Sequence, residues 1–486
     1  MEAEKKLAQY VSEAEYSELP GESVDIIKKV ILTVLGTTIA GATAEGCNTL
    51  VTQVEEWAGK EEATILVYGG KVPAYNAALV NSVMARALDF CDAMSPGIHI
   101  GSSSVPTALA TAELVGGCSG KEFLTALVLG TEIAARINSV SDYDGFDPTG
   151  VCSIFAAIAV AGRILRLNSQ QMLNALALGF NKAGGSFQSN IDGSLAVRVI
   201  QGFVSQGGII CAQLAHRGIT GPKNFLEGTY GYFHLYAKDK YDPQAVIGEL
   251  GKRFEMNKTI FKKYPSCGCT LASTDATLDL VKEKDLSAEN VARVDIKVSP
   301  YAYKLAGHQF EVGDNPRVNA QFSIQYCVAN ALLRRSSKLT HFDEASIIDD
   351  KVLELVRKIH VSDDPSLGAP ERQEASPSTH LSVRMEVTTK EGGVFHKAVD
   401  IPRGNPRNPL VEEDHMERFR DCVDYADTRI PEPNIEKVVS LIARLENVED
   451  IRSLIPLLSP PERTDAPKGR SGGLGCRRRQ IGKRGK

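Results

Sequence analysis

"LSVRMEVTTKEGGVFHKAVDI", residues 381–401, decides the fold class. Val383, Met385 and Val387 alternate with polar residues, and Val394 opens a second run after Gly392-Gly393. This is the pattern of two half-buried strands joined by a tight turn. A strand further back has the same texture, because "ARVDIKVSP" alternates Val294, Ile296 and Val298. Helical periodicity lies between them in "NAQFSIQYCVANALLRR" and "EASIIDDKVLELVRKI". The segment from about residue 259 to 404 is therefore expected to be an α+β module.

Working outward, the character of the chain changes. In "ESVDIIKKVILTVLGTTIAGA", residues 22–42, Ile26, Ile27, Val30, Ile31, Val34 and Leu35 recur at helical intervals after an acidic start. Further Ala- and Leu-rich stretches, such as "SIFAAIAVAGRILRL" and "QGGIICAQLAHRGI", continue the pattern to about residue 258. Their small residues suit close helix–helix contact. Glu132 and Arg136, at i and i+4, form a helix-supporting pair. Helical texture returns in "LVEEDHMERFRDCVDYA" and "NIEKVVSLIARLENVEDIRSLIPLLS". The expected architecture is mainly α: a large helical domain built from both chain ends, 1–258 and 405–461, with an α+β lid inserted at 259–404. A cleft between two cores is where small molecules preferentially bind. Residues 462–486 are Gly-rich and basic without apolar periodicity and are expected to be a disordered tail.

Composition narrows the function classes. A chain of 486 residues has room for at least two cores, and 43% hydrophobic with 24% charged residues is a globular composition. A formal net charge of -5 gives the bulk of the chain no electrostatic case for nucleic acid. Any such contact would fall to the basic tail. The N-terminus is too polar for a secretory signal, and no apolar run reaches the roughly 20 residues needed to span a bilayer. We expect a cytoplasmic protein. Of ten cysteines the only close pair is Cys267-Gly-Cys269, which lacks metal-site spacing, so reduced thiols and no metal are expected.

The segment "ALDFCDAMSPGIHIGSSSVP", residues 87–106, sets Asp89 and Asp92 shortly ahead of His99. An imidazole with a reference pKa of about 6.5 can move protons near neutrality, and a carboxylate can fix its tautomer. The residues also admit a plainer role, with Asp89 capping a helix and His99 sitting in a turn.

Six motifs occur in order: "ARALDFCDAMSPGIHIGSSSVPTALATAE", "GFDPTG", "GSLAVRVIQGFVSQGGIICAQLAHRGITGP", "KKYPSCGCT", "NAQFSIQYCVANAL" and "FRDCVDYA". With them the chain resembles the MmgE/PrpD family over roughly residues 1–458. That family includes 2-methylcitrate dehydratases, cis-aconitate decarboxylases and iminodisuccinate epimerases. The resemblance implies a homodimer and a lyase without cofactor or metal, acting by proton transfer at carbon beside a carboxylate. Dehydration is the reference activity; epimerisation of an amino- or imino-dicarboxylate, decarboxylation and a non-catalytic binding role are the alternatives. It implies catalytic roles for His99, Asp89 and Lys262, and contacts to a small carboxylic acid from Arg198, Ser102, Cys267 and Tyr326. For Cys267 nothing nearby in sequence marks an activated thiolate, and packing is the simpler role.

Three positions depart from the family pattern. Asp147 replaces His in "GFDPTG", Val197 replaces a lysine before Arg198, and Leu271 replaces a His after "CGCT". Asp147 is retained as a catalytic candidate, although a carboxylate with a reference pKa near 3.9 is a weak base unless burial raises it. Losing a cation and gaining a carboxylate predicts a site less receptive to polyanions. The expected substrate is less anionic than a tricarboxylate, or carries a cationic group that Asp147 meets.

Overall fold

The computed structural model describes residues 2–95, 97–143, 145–367, 381–427 and 430–459. The basic tail expected at 462–486 lies outside the described residues.

The helical body is built on six long helices, Gly21–Gly41, Ala74–Arg86, Gly101–Leu114, Gly120–Ser139, Pro148–Ile164 and Ala196–His216. The 148–164 helix packs between 120–139 and 196–216, and the 74–86 helix packs against 21–41, 101–114 and 196–216. Local chemistry fixes their starts. Ser119 accepts a hydrogen bond from the Glu122 N–H, and Asp147 caps a helix whose first residue is Pro148. Both chain ends enter one apolar core, where Leu7 and Val11 are buried together with Ile31, Phe419, Val438 and Leu454. The 412–425 helix closes this body by packing on 21–41.

Small residues set the helix spacing. A Cβ on Gly41 would stand 2.1 Å from the Met84 carbonyl oxygen, so the 21–41 and 74–86 helices meet backbone to side-chainless backbone. Gly41→Ala is expected to lower the unfolding free energy by about 1–3 kcal/mol, as overpacking does. Urea unfolding would measure this; a change within about 0.5 kcal/mol, typical of a neutral surface substitution, would show that these helices can separate freely.

The α+β part has its own core. Four strands lie in the order Ile359–Asp363, Val291–Val298, Val383–Thr389, Val394–Val399, the first pair parallel and the others antiparallel. Val294, Ile296 and Val298 stand opposite Val387, Met385 and Val383, so the alternating residues share one buried face. Gly392, with φ +83°, makes the turn into the last strand. The Leu271–Lys284 and Ile324–Arg334 helices cover this face.

The mainly α body with an α+β region agrees with the sequence reading, while two details differ from it. Helical periodicity in 319–335 resolves into Pro316–Gln321 and Ile324–Arg334, broken at Phe322 where Ser323 accepts a new cap from the Tyr326 N–H at 3.1 Å. The pattern over 344–359 becomes two short helices followed by the edge strand Ile359–Asp363, which pairs parallel and was not expected. Among the described residues no helix is long and apolar enough to cross a membrane.

Candidate active site

A two-residue ladder joins distant parts of the chain. Asp92 pairs with Phe261 and Ala93 with Ile260, antiparallel, which brings the 89–99 segment beside Lys262. Three further ties hold that segment. Gln321 of the lid donates to the Leu88 carbonyl at 2.6 Å, Gln201 to the His99 carbonyl at 3.1 Å, and Arg418 near the chain end to the Phe90 carbonyl at 2.8 Å. A cavity opens here, and its wall includes Arg86, Asp89, His99, Asp147, Asn190 and Lys262.

Asp89 organises the charge. Its Oδ1 accepts from both Lys262 Nζ, at 2.6 Å, and Arg86 Nη1, and Lys262 also donates to the Asp89 carbonyl at 3.0 Å. All three side chains are at most 5% exposed. The residue sits at φ +49°, a left-handed conformation that Asp tolerates better than most side chains. Burial pulls the Arg86 pKa down, but the Asp89 carboxylate prevails and raises it. Asp89 is thus a counter-ion shared by two buried cations.

His99 is oriented for a base. Its Nδ1 lies 2.7 Å from the Asp92 carbonyl oxygen, which can only accept, so that nitrogen carries the proton. Nε2 is left with its lone pair and has no hydrogen bond among the described residues. Burial, followed by the charges of Arg86 and Lys262, pushes the pKa well below the ordinary histidine value. The resting imidazole is neutral at pH 7. Asp92 in turn accepts the Gly101 N–H at 2.9 Å and so caps the start of the next helix.

Asp147 has the opposite tendency. Burial raises its carboxyl pKa, opposed by the hydrogen bonds from Thr149 and by Arg86. Its Oδ1 accepts the Thr149 N–H at 2.8 Å, and the Thr149 hydroxyl oxygen accepts the His99 N–H at 3.2 Å, so one residue ties acid and base to each other. Cys267 also lines the cavity; its thiol pKa is lowered by a hydrogen bond from Cys269, against burial.

Of the eight residues expected from sequence, five line this cavity: Asp89, His99, Asp147, Lys262 and Cys267. Three do not. Arg198 turns away and donates Nη1 to the Glu45 carbonyl at 3.0 Å, with the Glu45 carboxylate 3.3 Å from the same nitrogen. Ser102 is fully buried in the first turn of the 101–114 helix. Tyr326 packs between Phe310 and Phe342 in the lid core and donates its hydroxyl to the His341 carbonyl. Two of the departures, Val197 and Leu271, are buried outside the cavity wall, so of the three only Asp147 acts on its charge. Sequence reasoning missed Arg86, Asn190 and Tyr301, which also line the cavity. Arg86 had a visible signal, three residues before Asp89 on a helix end; Asn190 and Tyr301 had none. Among the described residues no three His, Cys, Asp or Glu side chains are grouped as metal ligands would be.

Comparisons with known proteins agree with this architecture. Residues 5–244 match the MmgE/PrpD N-terminal domain and residues 264–443 the MmgE/PrpD C-terminal domain. A cis-aconitate decarboxylase of Homo sapiens is 27% identical over 457 residues, covering 90% of each chain. The enzyme of that name from Mus musculus is 24% identical over 456 residues, covering 90% of this chain and 89% of its own. One from Aspergillus terreus is 23% identical over 484 residues, covering 94% of this chain and 96% of its own. Two family domains spanning the helical body and the lid, with relatives aligned along nearly the whole length, establish that the chain belongs to the MmgE/PrpD family and is a lyase of that family.

Proposed function

We propose that the chain dehydrates a small hydroxy-carboxylic acid by removing a proton from the carbon beside a carboxylate. The observation that carries this reading is the pairing of a neutral, tautomer-fixed His99 with a carboxyl of raised pKa on the same cavity wall. Elimination needs both at once. His99 Nε2 takes the C–H proton, and that electron pair becomes the new C=C bond. The C–O bond breaks, and the leaving hydroxide departs as water with the proton of Asp147. Lys262 and Arg86 face the carboxylate and stabilise the enolate charge that develops on it.

The cavity's charge supports a substrate less anionic than a tricarboxylate. Two cations share one carboxylate, and Asp147 adds none when protonated and one negative charge when ionised. Much of the remaining wall is apolar, with Met94, Phe187, Ile260, Leu305 and Phe322.

A second reading is decarboxylation, favoured by the names of the relatives. There the C–C bond to a carboxylate breaks, carbon dioxide leaves, and the carbanion takes a proton from Asp147. Proton NMR in deuterated buffer with carbon dioxide release measured alongside separates the two, using citramalate, malate, 2-methylcitrate, citrate and cis-aconitate. A new alkene without carbon dioxide is the expected result. Carbon dioxide release would install decarboxylation, exchange of C–H without net product would mean epimerisation, and an unchanged panel would overturn the proposal.

A further inference from the structure

Asn190 is a polar group of the cavity that the proposed chemistry leaves unused. It lies in the short turn of helix Gln188–Ile191, is 7% exposed, and lines the cavity with His99 and Asp147. Its position is set by the main chain: the Asn190 N–H donates to the Phe187 carbonyl at 3.0 Å, and the Phe187 N–H donates to the Gly145 carbonyl at 3.2 Å, two residues before Asp147. The side chain itself is uncommitted. Its Oδ1 is buried without a hydrogen-bond partner, and its amide nitrogen has none among the described residues. The other orphaned oxygen on this wall is Asp89 Oδ2.

A buried amide oxygen without a partner is unfavourable, and native interiors avoid it unless a ligand or water completes it. The missing partner can be narrowed by charge. A substrate carboxylate is drawn to Arg86 and Lys262, whereas an amide has no net charge and offers both an acceptor and donors. A hydroxyl matches it, since it can donate to Oδ1 and accept from Nδ2.

We propose that Asn190 is a specificity-determining residue whose amide receives the substrate's hydroxyl, so that the cavity takes small hydroxy-carboxylic acids in preference to their deoxy counterparts. This rests on the dehydratase reading and names the group that selects its substrate. Sites built to hydrogen-bond a hydroxyl reject the analogue lacking it, because the protein's own polar group is then left unpaired.

The test is calorimetric titration of the full-length protein with matched pairs, malate against succinate and citramalate against methylsuccinate. In the wild type the hydroxy acid of a pair is expected to bind at least tenfold more tightly. Asn190→Leu is expected to lose at least tenfold for the hydroxy acid while leaving the deoxy acid within about twofold, which also reports that the cavity is intact. Should the leucine variant not fold, Asn190→Ala, which also removes the amide, is read in the same way. Equal affinities within each pair, including failure of both members to bind, would overturn the proposal, as would a preference that survives in the variant. Its failure is distinguishable from failure of the dehydratase reading. Hydroxyl preference without turnover sinks the elimination and leaves Asn190 its role; turnover without hydroxyl preference does the reverse.

Discussion

His99→Asn is expected to lower turnover by roughly 10²–10⁴-fold, the range for loss of a general base, and to abolish exchange of the substrate C–H with solvent deuterium. Asparagine can keep a hydrogen bond to the Asp92 carbonyl, the partner that now holds Nδ1, so the loop is retained while the basic nitrogen is lost. The pH profile carries the same argument. The active imidazole is the neutral one, and burial with two nearby cations depresses its pKa, so activity persists below the ordinary histidine pKa of about 6.5 and falls only through the lowered value. Asp147 must be protonated to give up its proton, and its pKa is raised, so activity is lost on the alkaline side as that carboxyl ionises. Asp147→Asn is expected to lower turnover, since the leaving hydroxide loses its proton donor, and the residual rate is expected to keep the acid limb and lose the alkaline one. Stability follows from the same shift. Between the depressed folded pKa and 6.5 the unfolded chain binds the proton that the folded one refuses, so His99 makes the fold less stable as pH falls through that window. Steady-state rates from pH 4 to 9 and NMR exchange check these outcomes; an Asn variant that still exchanges the C–H would remove His99 from the proton transfer.

The parts of the site that were legible from sequence are those carried on contiguous motifs. Asp89 and His99 lie ten residues apart on one segment, and Lys262 opens the "KKYPSCGCT" motif. Asp147 could be nominated, but its relation to His99 depends on Thr149, whose backbone and hydroxyl contact the two different residues. Arg198 misled for a physical reason: a helix face is not set by sequence neighbours alone, and this guanidinium finds Glu45 rather than the cavity. Asn190 and Tyr301 enter from segments without periodicity, brought in by tertiary packing. The fold was more legible because alternation in 291–298 and 383–399 is a local signal. The parallel edge strand 359–363 was not, since its alternation is short, with Ile359 buried and Val361 half-buried before the chain turns fully polar, and it follows directly on a helical pattern.

Asp89→Ala is expected to be the most damaging single change to stability. It deletes the carboxylate shared by Arg86 and Lys262, whose side chains are 5% and 1% exposed, and leaves two cations buried without a counter-ion. Breaking a buried pair in this way costs about 3–5 kcal/mol, and alanine at a φ of +49° adds roughly 1–2 kcal/mol of left-handed backbone strain. Asp89→Asn separates the two contributions, because asparagine tolerates that backbone yet supplies no charge. It is expected to lose less stability than alanine and to change what the site binds. Once the shared carboxylate is neutral, both cations are free to meet ligand anions, so citrate should bind more tightly to Asp89→Asn than to the wild type and recover part of the lost stability. Urea unfolding with and without citrate reads both effects. If the asparagine variant were as stable as the wild type and no more receptive to citrate, Asp89 would not be the group that sets the charge of the cavity, and the reason for expecting a less anionic substrate would fall back on Asp147 alone.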